Sequence, residues 1–146
     1  MTEIGFYHLT RTGPEKALPT LLSRTLAAGQ RALVRCRDGE RVGVIDAALW
    51  DSPDFLPHGT AADADAGIQP IWLTTADENP NAAGFLFLID GTDGGDVARF
   101  TRVFDLFDGN DPAQVEAART RWTSAKSAGH GLTYWQQTER GWEKKG

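Results

Sequence analysis

The apolar positions of this chain follow two periods, and their order separates strands from helices. Glu3–Leu9 is rich in β-formers and predicts a first strand. A turn over 10–13 precedes Pro14, which suits the start of a helix carrying Leu18, Leu21, Leu22, Thr25 and Leu26 on to Gly29. Pro19, inside that stretch, either bends the helix or marks its true start. A second short strand is expected over 31–36, then a helix over 38–50 with Val42, Ile45 and Leu49 on its apolar side. Ile71–Thr74 reads as a third strand. Residues 85–89 are almost continuously apolar, the pattern of a central strand covered on both faces. Residues 103–107 supply a fifth strand and 132–135 a sixth.

The last helix lies between those two strands. Asp111 is a cap residue, Pro112 fits the first turn, and Gln114 stands three residues after the cap in a capping-box pattern. Gly129 ends the run, and at roughly 1.5 Å per residue the helix is about 27 Å long. Val115, Arg119, Trp122 and Lys126 recur at spacings of four, three and four, so they share a face. Ala118, Trp122, Ala125 and Gly129 form a neighbouring small-residue stripe suited to packing on a sheet. Two readings stand side by side: Trp122 is wholly core with solvated cations beside it, or its edge lines a surface suited to a small, negatively charged, partly aromatic ligand.

Strands alternating with helices indicate an α/β sandwich with a parallel or mostly parallel sheet. One domain over residues 1–146 accounts for the chain, with 136–146 read as a C-terminal tail, polar beyond 140 except for Trp142. Residues 51–70 differ in kind. Pro53, Pro57, Gly59, Gly67 and Pro70 interrupt them, and Asp63 and Asp65 punctuate an alanine-rich patch, so they read as a long loop. Trp50, Phe55 and Leu56 are large apolar groups close to these chain breakers. They either form an exposed docking patch or fold back over the sheet edge as a minor core.

Composition narrows the class. The apolar and charged fractions, 40% and 24%, are those of an ordinary folded protein. No apolar run approaches the roughly 20 residues of a bilayer span, and the N-terminus lacks a basic-then-apolar signal. Together with a single cysteine, Cys36, this points to a reducing cytoplasm; nothing near Cys36 in sequence supplies a base, so it is read as a buried small residue. The formal charge of −5 is uneven: residues 1–110 hold 9 Lys or Arg against 16 Asp or Glu, and residues 111–146 hold 6 against 4. The acidic bulk should be repelled from naked DNA or RNA, while the C-terminal quarter can attract an anionic peptide.

Catalytic motifs are not evident. The glycine-rich turn over 91–96 follows a central strand but has neither the dinucleotide pattern nor a phosphate-binding loop, and it places Asp93 and Asp96 where phosphates would sit. A nucleotide-using α/β enzyme is therefore the alternative reading. Asp90, Asp105 and Asp108 lie at strand ends without a phosphate-gripping lysine in sequence, and His8, His58 and His130 show no metal-ligand spacing. Direct single-stranded DNA binding by Trp122, Trp135 and Trp142 is a further alternative, disfavoured by the acidic surroundings.

A joint pattern across nearly the whole chain is more specific. The run Phe6-Tyr-His-Leu, then 46–50 (Asp-Ala-Ala-Leu-Trp), 55–58 (Phe-Leu-Pro-His), 69–72 (Gln-Pro-Ile-Trp), Arg121-Trp122 through Gly129, and the closing aromatic-basic stretch from Tyr134 to Lys145 resemble the chi subunit of bacterial DNA polymerase III. That resemblance implies a Rossmann-like three-layer fold without a phosphate-binding loop. It also implies a non-catalytic clamp-loader accessory subunit, with the polymerase activity belonging to the holoenzyme and with no cofactor or metal of its own. Such a subunit grips the acidic C-terminal tail of single-stranded DNA-binding protein, which ends in a phenylalanine carboxylate. By the same resemblance the tail-binding positions are Val115, Arg119, Trp122 and Thr123, with Arg121 and Lys126 as nearby cations. Thr123 departs from the family pattern, where lysine is expected, and Trp122 stands in place of tyrosine. The surface for a second partner, the psi subunit or the loader itself, maps to Trp50, Phe55, Leu56, Pro57 and His58. Any DNA contact would be indirect or weak.

Overall fold

A computed structural model describes residues 2–62 and 65–146; Asp63 lies outside the described residues. Its elements are β1 (Glu3–Leu9), α1 (Pro14–Ala27), β2 (Ala32–Arg35), α2 (Gly39–Asp51), β3 (Gly59–Thr60), β4 (Ile71–Thr74), β5 (Phe85–Leu88), β6 (Arg102–Asp108), α3 (Pro112–Ser127), β7 (Gly131–Thr138) and β8 (Gly141–Lys144). They form one eight-stranded sheet in the order β3-β4-β2-β5-β6-β1-β7-β8. Every pairing is parallel except β7 with β8. The described residues are thus α/β, with a mostly parallel sheet and three α-helices.

β1 explains why its sequence alternates only loosely. It sits between β6 and β7, with Ile4 and Phe6 on one face and Tyr7 and Leu9 on the other, and all four are buried. Leu18, Leu21 and Leu22 of α1 and Ile45 and Leu49 of α2 pack on the Tyr7 face, with Val34, Phe87 and Leu106 from the sheet. On the Phe6 face α3 contributes Ala118 and Ala125 against Leu88, Val103 and Phe107. Pro19 is accommodated inside α1, which begins at Pro14.

Three differences from the sequence reading have local causes. The stretch read as a tail from 136 is ordered as the end of β7 and all of β8, an antiparallel edge hairpin that turns at Gly141 (φ +123°). It looks polar because an edge strand shows solvent most of its length; Trp142 alone turns inward, packing on Tyr7. The loop over 51–70 contains the two-residue β3, too short to leave any periodicity. The capping box at α3 is half formed: Asp111 accepts from the Ala113 amide at 3.0 Å, but Gln114 Oε1 takes the Asp108 amide at 2.9 Å. Gln114 therefore ties the helix to the end of β6. At the other end Gly129 (φ +83°) turns the chain, and the amides of Gly129 and His130 satisfy the Lys126 and Ala125 carbonyls.

Candidate functional site: the groove beside the last helix

α3 reaches the sheet through small side chains, and the large ones near it stand at the margin. Val115, Ala118, Arg119, Trp122 and Thr123 form one wall of a groove whose other wall is Phe6, His8, Phe107 and Tyr134 from β1, β6 and β7. The groove encloses about 450 Å³. Trp122 is half-buried, meeting Phe6 edge-on at 5.2 Å and Tyr134 at 6.2 Å. The tryptophan is not wholly core: one edge packs against the core and another lines the opening.

Arg119 is exposed beside this groove. Its one ion pair among the described residues is with Glu116 at 3.8 Å, both side chains about three-quarters exposed (75% and 74%), so little holds the guanidinium back from a ligand. It lies near enough to Tyr134 to act on it: burial pushes the Tyr134 phenol up, and Arg119 works in the opposite direction. The Thr123 hydroxyl is turned onto the Arg119 carbonyl at 3.1 Å. Thr123 thus offers an uncharged edge. Lys126 is exposed one turn further along and is not part of the groove wall.

Arg121 is elsewhere. It reaches the opposite side of α3 and holds Asp105 with two bonds, Nε to Oδ2 at 2.5 Å and Nη2 to Oδ1 at 2.9 Å. Burial pushes the Asp105 carboxyl up, and the Arg121 guanidinium pulls it back. As a nearby cation for a tail Arg121 is therefore corrected: it is a structural partner of a buried carboxylate. The signal in the sequence was an aspartate inside the apolar run of β6, which a buried strand tolerates only with a cation to meet it.

His8, Phe107 and Tyr134 are groove residues that the sequence reading did not single out. His8 Nδ1 is hydrogen-bonded to the Tyr134 hydroxyl. Burial holds the His8 imidazole below its ordinary range, with Asp108 opposing. The available signal was the alternation Ile4, Phe6, His8, which puts His8 on the face that receives α3.

The second predicted region divides by orientation. Trp50 and Phe55 are 67% and 85% exposed, whereas Leu56 is 4% exposed and packs with the α1 and α2 core. His58 is buried under the Trp50 ring (4.9 Å between centroids), its Nδ1 facing the Leu56 carbonyl at 2.7 Å and its Nε2 facing Asp46 at 2.8 Å. Pro57 is half-buried between them. The contact-ready groups here are Trp50 and Phe55, and Leu56 and His58 are the anchor that presents them.

The glycine turn after β5 is held from within. Arg35 donates to the Asp93 and Gly94 carbonyls at 3.3 and 2.8 Å, and Asp93 accepts the Gly95 amide at 3.0 Å. A phosphate would compete with Asp93 for that amide. Asp90 and Asp105, two of the strand-end carboxylates, are each occupied by an arginine, Arg41 at 2.8 Å in the first case. Among the described residues no group of three or more His, Cys, Asp or Glu is placed to hold a metal ion.

A family model for the DNA polymerase III chi subunit, HolC, matches residues 1–133. The chain belongs to the DNA polymerase III chi subunit family. A relative from Rickettsia prowazekii (strain Madrid E), named as a probable DNA polymerase III subunit chi, is 27% identical over 95 residues. That match covers 64% of this chain and 58% of the relative. No helix among the described residues is long and apolar enough to cross a membrane.

Proposed function

We propose that this protein is a non-catalytic, cytoplasmic accessory subunit of the replicative polymerase that joins the clamp loader to single-stranded DNA-binding protein. The order of strands and the helices on both faces favour a Rossmann-like three-layer arrangement without a phosphate-binding loop. The observation that carries the reading is the groove of about 450 Å³ between α3 and the strands. Its chemistry suits an acidic tail ending in an aromatic residue: Val115, Trp122, Phe107 and Tyr134 offer a wall for a ring, and Arg119 offers a planar cation for a carboxylate. Lys126, one turn along, would meet the acidic residues that precede the ring. Trp50 and Phe55 are the contact toward the loader, through a psi subunit or directly.

Titration calorimetry with the tail peptide of single-stranded DNA-binding protein tests this. A charge-assisted hydrogen bond contributes about 1.5 kcal/mol at the low end, so Arg119→Ala should weaken binding roughly tenfold while leaving the exposed helix surface folded. Equal affinity in the two proteins overturns the assignment of the groove. A Phe55→Ala, Trp50→Ala variant should keep the tail and lose the loader in a pull-down.

A further inference from the structure

The opposite face of the sheet has a second recess, where α1 gives out and β7 and β8 continue. Its floor is the ring of Tyr7, lying along β1 over Gly5; a Cβ on Gly5 would come within 2.8 Å of Tyr7 Cε1, so a larger residue would lift the ring. Trp135 lies parallel to Tyr7 (7° between planes, 6.1 Å between centroids), and Trp142 meets it edge-on at 5.0 Å. Phe85 and Phe104 continue the apolar wall, and the recess encloses about 290 Å³.

Two features of this recess are not used by the fold. Tyr7 is 6% exposed and lines the recess, and its hydroxyl, which bonds to no described residue, keeps its contact with solvent there. Arg24 and Arg102 line the same recess, both exposed, and neither forms an ion pair with a carboxylate of the described residues. The Arg102 guanidinium lies over the Phe104 and Phe85 rings, at 4.9 and 5.6 Å from their centroids, which fixes its plane while leaving its donors free. Both arginines act on Tyr7: burial pushes its phenol up, and Arg102 and then Arg24 oppose this.

We propose that this recess is a second binding site, for an acidic peptide that lays one ring on Tyr7 and Trp142 and sets a carboxylate on the Tyr7 hydroxyl, Arg24 and Arg102. The charges are complementary: two unpaired cations and an unpartnered donor converge on an apolar floor. A nucleic acid strand is the weaker fit, because it needs a run of cations along successive phosphates, and this chain carries a net charge of −5. The site is independent of the α3 groove, which lies across the sheet.

The test is an NMR titration of the full-length, ¹⁵N-labelled protein with acetyl-Asp-Asp-Phe bearing a free terminal carboxylate. An Arg119→Glu background disables the α3 groove, so success or failure here is separate from that of the tail reading. Saturable shifts at the indole N–H groups of Trp135 and Trp142, with Trp50 unmoved, are expected. Arg24→Glu with Arg102→Glu should weaken binding at least tenfold, and Tyr7→Phe several-fold, in proteins whose spectra remain dispersed. Absence of saturable shifts at millimolar peptide overturns the proposal, as do shifts that survive the double substitution. A ten-nucleotide oligothymidylate that binds more tightly and displaces the peptide overturns it in favour of nucleic acid.

Discussion

The two faces of the sheet are closed by different means. On one face α1 and α2 press leucines and an isoleucine into the strands, and Leu18, Leu22, Ile45 and Leu49 are all 2% exposed or less. On the other face α3 buries only Ala118 and Ala125, with Trp122 at the margin and the Arg121–Asp105 pair as its polar bolt. Branched side chains fill the space between helix and strands; alanines let the helix come close along one line and leave clefts on both sides of it. Those clefts are the groove under Arg119, of about 450 Å³, and a wider one of about 610 Å³ lined by Asp105, Arg121 and the turn around Gly94. The face packed with branched side chains keeps room only where α1 gives out, in the recess of about 290 Å³, whereas the face packed through small residues and one ion pair keeps larger clefts along the helix itself.

The sharpest way to break this comparison is to remove the bolt. Arg121→Leu leaves Asp105 buried with no cation, and losing one partner of a buried pair costs about 3–5 kcal/mol. Urea unfolding should show that loss, and adding Asp105→Leu should restore much of it. The folded fraction should still bind a tail peptide, because Arg121 faces away from the groove. Next in size is the aliphatic face. Leu22→Ala removes a fully buried side chain and should cost roughly 3 kcal/mol through lost burial and the cavity left behind. Peptide affinity per folded molecule should be unchanged. A large loss of affinity in either protein would mean that the two faces are coupled more closely than their separate packing implies.

Much of the fold was legible in the sequence because its strands are apolar runs and its helices carry caps and glycine stops. Strands β1, β2, β4, β5 and β6 and all three helices stand where periodicity puts them. Two strands were missed for opposite reasons: β3 is too short to have a period, and β8 is an edge strand whose polar side chains resemble those of a tail. The groove was half legible. Helical spacing brought Val115, Arg119 and Trp122 together, because contacts within one helix follow from counting. The facing wall comes from β1, β6 and β7, and no local pattern announces that residues 6, 107 and 134 become neighbours. Arg121 shows the limit from the other side. Its place beside Arg119 and Trp122 in sequence made it a cation of the site, but one residue along a helix turns the side chain by about 100°, and that rotation carries it to Asp105.

The smallest expected effect separates the groove from the rest of its own face. His8 is the titratable ring inside it, and burial holds its imidazole below the ordinary range, against a raising influence from Asp108. Because the folded protein prefers the neutral ring, the stability His8 contributes is complete above the ordinary histidine pKa of about 6.5. It is lost as the pH falls from there through the lowered folded value. An acidic tail in the groove has the opposite preference, since its carboxylates favour the charged imidazolium. Binding then takes up a proton, and affinity for the tail should rise as the pH falls below about 6.5 while unfolding becomes easier over the same window. Paired titrations at pH 7.5 and 5.5, with a thermal melt at each, check the two signs together. His8→Gln should flatten the affinity dependence, and a dependence that persists in that variant would assign the proton to another group.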